Sequence, residues 1–95
     1  DAIFARVESA TDAEETEIRV YCDGNQAWAT TFSGLNDNGV SASTPTVSLT
    51  LYSAGGPCAM WIHKPFEFIR KFEIKAYNPL ANVTVGGVAY LSLVG

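Results

Sequence analysis

The sequence predicts an all-β fold, an antiparallel β-sandwich of about seven strands stapled by one disulfide between Cys22 and Cys58. Three observations carry this expectation. Apolar residues alternate with polar ones at period 2 in short runs. The runs are separated by Gly, Asn, Asp, Ser and Pro, which are the residues turns select. The two cysteines lie in different runs, each at a position assigned to the core side. A chain of 95 residues has room for one packed core, so residues 1–95 read as a single domain.

The first run, Ile3 to Ser9, sets Ile3, Ala5 and Val7 on one side. Thr11-Asp12-Ala13-Glu14 then fits a capping box, but no apolar face follows it, so one helical turn is expected and no more. In the second run, Thr16 to Cys22, the residues Ile18, Val20 and Cys22 face inward and Glu17, Arg19 and Tyr21 outward. Asp23-Gly24-Asn25 is a turn that joins it as a hairpin to the third run, Gln26 to Phe32. Placing Ala27, Ala29 and Thr31 inward turns Trp28 and Phe32 outward. Ser33 to Pro45 is polar throughout and reads as a long irregular loop, the kind of segment in which function tends to sit.

The fourth run, Thr46 to Tyr52, puts Val47, Leu49 and Leu51 inward, and a turn at 53–57 leads into the fifth, Cys58 to Lys64, with Cys58, Met60 and Ile62 inward. Phe66 to Tyr77 alternates over twelve residues and is interrupted only by Arg70, which favours a strand over the rival helix. Asn78-Pro79 ends it. The last run, Asn82 to Val94, is apolar on both sides and carries Gly86-Gly87 as a kink or bulge, as expected of a covered strand.

Ten acids against six bases give a net charge of −4, the wrong sign for a domain that grips phosphate backbones, so nucleic acid is excluded as the expected partner. Basic residues concentrate in Lys64, Arg70, Lys71 and Lys75, but Glu67 and Glu73 dilute their field. No apolar run approaches the 18 residues of a membrane span, and the start at Asp1 has no basic n-region or apolar h-region, which suggests a mature or trimmed terminus. A bridge from Cys22 to Cys58 would close a loop of about 36 residues and add roughly 3–4 kcal/mol. It implies an oxidising compartment, hence a secreted or surface-displayed protein. The competing reading is two buried thiols in a reduced compartment. Asn82-Val83-Thr84 matches the N-glycosylation acceptor pattern and leaves its use open.

No enzymatic constellation emerges. The single histidine, His63, is set outward beside Trp61, and Cys58 lies five positions away on the opposite face of the same strand. No spacing selects a pair of carboxylates, and the glycines lack any phosphate-loop context. Two cysteines and one histidine make no zinc site. No cofactor is expected. Calcium is the one inorganic candidate, through oxygen ligands from Asp23 and Asn25 in one turn and Asn36, Asp37 and Asn38 in the long loop, residues that a plain turn would equally select.

The outward aromatics Tyr21, Trp28, Tyr52 and Trp61 are the feature richest in content. They suit either cover by a second subunit or a ligand platform, because Trp and Tyr offer flat apolar surface with a polar tip. Thr31-Phe32-Ser33-Gly34, followed by Asn36 and Asn38, resembles the strand and loop of the calcium-dependent bacterial fucose-binding lectins over these few residues. The acidic loop that supplies most calcium ligands in that family has no counterpart between Asn78 and Gly95. The expectation is therefore a non-catalytic binding module for carbohydrate, with Trp28 or Trp61 as the stacking surface and Asp23, Asn25, Asn36, Asp37 and Asn38 as polar ligands. The alternative is a protein-interaction module, such as an effector, toxin, inhibitor or virion component, working through the same aromatics. A homo-oligomer is open in both.

Overall fold

The computed structural model describes residues 2–64, 66–80 and 82–90. Seven strands form in chain order: β1 (Ala2–Val7), β2 (Glu17–Cys22), β3 (Asn25–Thr31), β4 (Val47–Leu51), β5 (Cys58–Ile62), β6 (Phe72–Tyr77) and β7 (Val85–Tyr90). They make two antiparallel sheets, a four-stranded one in the order β4-β5-β1-β7 and a three-stranded one in the order β3-β2-β6. Each of the seven alternating runs contains one strand. The expected single turn near Ala13 is present as a 3-10 helix over Ala13–Glu15.

Period-2 alternation decides which side chains share the core. From the four-stranded sheet come Ile3, Ala5 and Val7 of β1, Leu49 of β4, and Cys58, Met60 and Ile62 of β5; from the three-stranded sheet come Ile18 and Val20 of β2. All belong to one buried cluster. Burying a side chain of this size contributes about 1.5–3 kcal/mol, so these positions hold the two sheets together. β7 lies against β1 with Gly87 opposite Ala5, where a Cβ would stand 2.2 Å from the Phe4 carbonyl oxygen. Only glycine permits that approach.

The polar segment 33–45 departs from expectation. Its first part is a helix, α1 (Phe32–Asp37), placed between β3 and β4. Thr31 caps its start, the hydroxyl accepting the Gly34 N–H at 2.9 Å. Phe32 and Leu35, three apart, fall on one face and are buried in the core. The end is a Schellman motif: Gly39 takes φ 79°, its N–H donates to Asn36, and Val40 N–H donates to Leu35. Phe32 is thus a core residue and not an outward one.

The expected disulfide does not form. Cys22 and Cys58 are both free thiols. Cys22 ends β2 in the three-stranded sheet, between Asn25 and Phe72, whereas Cys58 opens β5 in the four-stranded sheet, opposite Val7. The Cys58 thiol is turned onto its own hairpin, with Sγ 3.5 Å from the Ser53 carbonyl oxygen and 3.8 Å from that of Gly56. The inference of an oxidising compartment loses the bridge on which it rested.

Candidate functional site

Trp61 sits on the outer face of the four-stranded sheet. Its neighbours Met60 and Ile62 point into the core, so alternation along β5 sends the indole the other way. Phe4, the outward residue of β1, is its cross-strand partner, with ring centroids 5.0 Å apart and planes at 49°. On the other side His63 stacks on the indole at 5.8 Å with the planes only 14° apart. The backbone N–H of His63 donates to the Thr46 carbonyl at 2.5 Å, which anchors the residue just past the end of β5. Ser48 of β4 lies opposite Trp61 and is buried. Val88 of β7 continues the row beyond Phe4 and is exposed. The result is a strip that is aromatic over His63, Trp61 and Phe4 and continues as apolar surface to Val88 on the third strand. Its outer rim carries a ring nitrogen pair that can exchange hydrogen bonds.

Trp28, expected outward, is instead half-buried against the core. The β2–β3 register shifts between Val20 and Tyr21, so that Val20 faces Trp28 while Tyr21 faces Gln26, and Ala27 is the extra residue. A bulge of one residue exchanges the faces of all that follows. Trp28 therefore stands beside the inward Val20 and packs against the core, while Ala27 is exposed. Tyr52 also packs against the core. Burial raises the pKa of its phenol, and the nearby carboxylates of Glu14, Asp37 and Glu15 add to this.

The polar candidates do not converge. Asp23, in the β2–β3 turn with φ 52°, accepts three backbone N–H groups: Ile69 on Oδ2 at 2.8 Å, and Arg70 and Lys71 on Oδ1 at 2.7 and 3.0 Å. These bonds hold the carboxyl below its ordinary pKa. Asp23 is a clamp for the segment that enters β6, and its lone pairs are largely committed to it. Asn25 is exposed at the start of β3. Asn36, Asp37 and Asn38 lie at the end of α1, which follows the other end of that strand, and β3 itself is about 20 Å long at the rise of an extended chain. Asn38 serves as the C-terminal cap of α1, with Nδ2 donating to the Gly34 carbonyl at 2.8 Å. The two groups thus fall on different ends of the domain, and the segment likened to a lectin strand and loop is a capped helix. No group of three or more His, Cys, Asp and Glu side chains suited to a metal ion occurs among the described residues.

Both thiols have raised pKa values, chiefly through burial, and Asp23 adds its charge at Cys22. Cys58 faces the core while His63 is exposed on the far side of β5. The cysteine and the histidine are accordingly not a nucleophile and base pair.

Sequence reasoning set Trp61 outward, where it stands, and passed over Phe4, although the alternation that put Ile3, Ala5 and Val7 inward already set Phe4 outward. It also missed a cleft of ≈ 300 Å³ where the edges β6 and β7 of the two sheets face one another, lined by Ile18, Ile74 and Ala76 on one side and Ala5, Val85 and Ala89 on the other. Nothing in the sequence reports strand order, and the cleft depends on it. No helix among the described residues is long and apolar enough to cross a membrane. No family model, curated protein or solved structure matches this chain.

Proposed function

We propose that this two-sheet domain, a β-sandwich, is a non-catalytic binding module whose ligand surface is the aromatic strip of the four-stranded sheet, and that its ligand is a carbohydrate. The observation that carries the reading is the near-parallel stack of His63 on Trp61 beside Phe4. A sugar ring presents an apolar face of C–H groups ringed by hydroxyls. An indole fixed on a rigid strand meets the first, and an imidazole at its edge meets the second. Trp61 is held by strand pairing on both sides, so little side-chain freedom is lost on binding. On this reading binding needs no calcium, which the commitment of Asp23 to three backbone donors supports.

The test is a glycan array on the native chain, with and without a chelator. Selective binding that Trp61→Ala abolishes and the chelator leaves untouched supports the reading. A second reading, a protein ligand on the same strip, is favoured by Phe4 and Val88, which extend it with apolar surface alone. A silent array at high protein concentration would replace the first reading by the second.

A further inference from the structure

β6 is one of two edge strands, with β7, whose pairing runs without a register shift. The other strand pairs at the ends of the two sheets include two that are broken by register shifts, β3 on β2 and β4 on β5. Such bulges protect an edge from unwanted pairing. The β6–β2 pair runs from Phe72 to Tyr77 without a shift. On it Ile74, which faces the inner side beside Val20, is 39% exposed, and Tyr77 is 50% exposed.

The direction of its free hydrogen-bonding groups can be read from one contact. Asp23 N–H donates to the Lys71 carbonyl at 2.8 Å, which continues the β2–β6 ladder by one pair. In an antiparallel ladder bonded and non-bonded pairs alternate. Glu73, Lys75 and Tyr77 therefore spend their main-chain groups on β2, the Lys71 carbonyl is taken by Asp23, and Phe72, Ile74 and Ala76 point theirs away from β2, to an edge with no pairing strand among the described residues.

We propose that this edge pairs antiparallel with β6 of a second copy of the chain, in the register that sets Ile74 opposite Ile74 across a two-fold axis. In that register Phe72 faces Ala76, so every residue with open main-chain groups meets another of the same kind. On the outer face Glu73 falls opposite Lys75, twice by symmetry, and Lys71 falls opposite Tyr77, a cation against an aromatic ring. Sliding by one step of the same hydrogen-bond phase ruins this. One direction sets Glu73 against Glu73 and Lys71 against Lys75; the other sets Lys75 against Lys75. The charges thus select a single register out of three. Within the chain Glu73 is 3.3 Å from Lys71 and 4.0 Å from Lys75, so the second contact is loose enough to be shared. The product is a continuous six-stranded sheet, β3-β2-β6 followed by its symmetry mate, which buries Ile74 and extends an apolar wall past the mouth of the β6–β7 cleft.

Sedimentation equilibrium tests this on the whole chain up to about 1 mM, a range that captures weak association. A concentration-dependent dimer is expected. Glu73→Lys and Lys75→Glu, each alone, place like charges opposite one another at both symmetric contacts and should raise the dimer dissociation constant by about tenfold or more. The exchanged double variant, Glu73→Lys with Lys75→Glu, restores the opposite pairing and should dimerise as the native chain does. An equimolar mixture of the two single variants should form a mixed dimer. Circular dichroism of each variant checks that the fold is kept, and both side chains are exposed enough for that to be expected. A protein that stays monomeric over the whole range overturns the proposal. So does a dimer that ignores the single reversals, because its interface would then lie elsewhere.

Discussion

The Asp23 carboxylate accepts the backbone N–H of Arg70 at 2.7 Å, across 47 residues of sequence. With the bonds from Ile69 and Lys71 it fixes the last turn before β6, and so sets where β6 begins against β2. Ile69 at its tip is 91% exposed, held there by its backbone and not by packing. Asp23→Ala is expected to lower the thermal midpoint modestly and to loosen this segment. Limited trypsin digestion reads the second effect, since Arg70 and Lys71 are both cleavage points: cutting there should accelerate in the variant while other sites hold steady. Equal rates in the two proteins would mean that the segment is held by other contacts.

The same carboxylate makes stability depend on pH. Its folded pKa lies below that of the unfolded chain, about 3.9, so between the two values the unfolded state binds more protons. The contribution is fully present above about pH 4 and is lost as pH falls through the folded value. Urea midpoints measured from pH 5 downwards should fall more steeply for the native chain than for Asp23→Ala, and parallel curves would show that Asp23 titrates alike in both states.

Adjacent glycines of β7 are expected to respond in opposite ways. At Gly87 an added Cβ meets the Phe4 carbonyl oxygen at 2.2 Å and the Ala5 Cα at 3.3 Å, both on backbone that cannot turn aside. Gly87→Ala must therefore push β7 off β1, at a cost of about 1–3 kcal/mol or more. At Gly86 nothing lies within 4 Å. Gly86→Ala should leave the denaturation midpoint unchanged or raise it slightly, by reducing the freedom of the unfolded chain. Similar losses at both positions would show that the β1–β7 approach is not what selects glycine.

What the sequence revealed of this fold, and what it concealed, follows from the range of the signals involved. Alternation is a property of neighbours, and it located all seven strands, the inward residues of β1 and β5, and Ile18 and Val20 of β2, though Cys22, also expected inward, is only partly buried. It failed at β3 and at Leu51 of β4, which was expected inward and is exposed, because bulges between Val20 and Tyr21 and between Leu49 and Leu51 are relations between two strands and leave no mark on either run. The helix at Phe32–Asp37 was legible in principle from Thr31 as a cap, Phe32 and Leu35 three apart, and Gly39 as the stop, but a polar composition suggested a loop instead. At Phe66 to Tyr77 the alternation is real only from Phe72 onward; in the earlier half Phe66 and Phe68 gather on the Phe72 ring, at 6.0 and 5.2 Å, without strand pairing. Cysteine pairing and the grouping of Asp and Asn loops depend on which ends of which strands meet, and there local reasoning had no purchase.

The thiols can be settled by labelling. Native protein treated with iodoacetamide at neutral pH should react slowly at Cys22, which is partly exposed, and far more slowly at Cys58, which is fully buried. Both thiols are raised in pKa by burial, so the reactive thiolate is scarce and labelling should speed up as pH is raised. Denatured protein should take two labels without any reductant, and a reductant should leave the thermal midpoint where it was. Failure to label the denatured chain until it is reduced would restore the bridge.

The two tryptophans separate the fold from the site. Trp28 packs on the core beside Val20, so Trp28→Ala removes buried contact and should cost about 2–4 kcal/mol, somewhat less than a fully buried indole. Trp61 stands on the outer face between Phe4 and His63, and Trp61→Ala strips the strip of its central ring while leaving Met60 and Ile62 in the core. It should cost less stability and abolish ligand binding. Native fluorescence offers a parallel reading: an aqueous quencher should reach Trp61 more readily than Trp28, and bound ligand should shield Trp61 alone. If Trp28→Ala were to leave stability intact and remove binding, the ligand surface would belong on the three-stranded sheet.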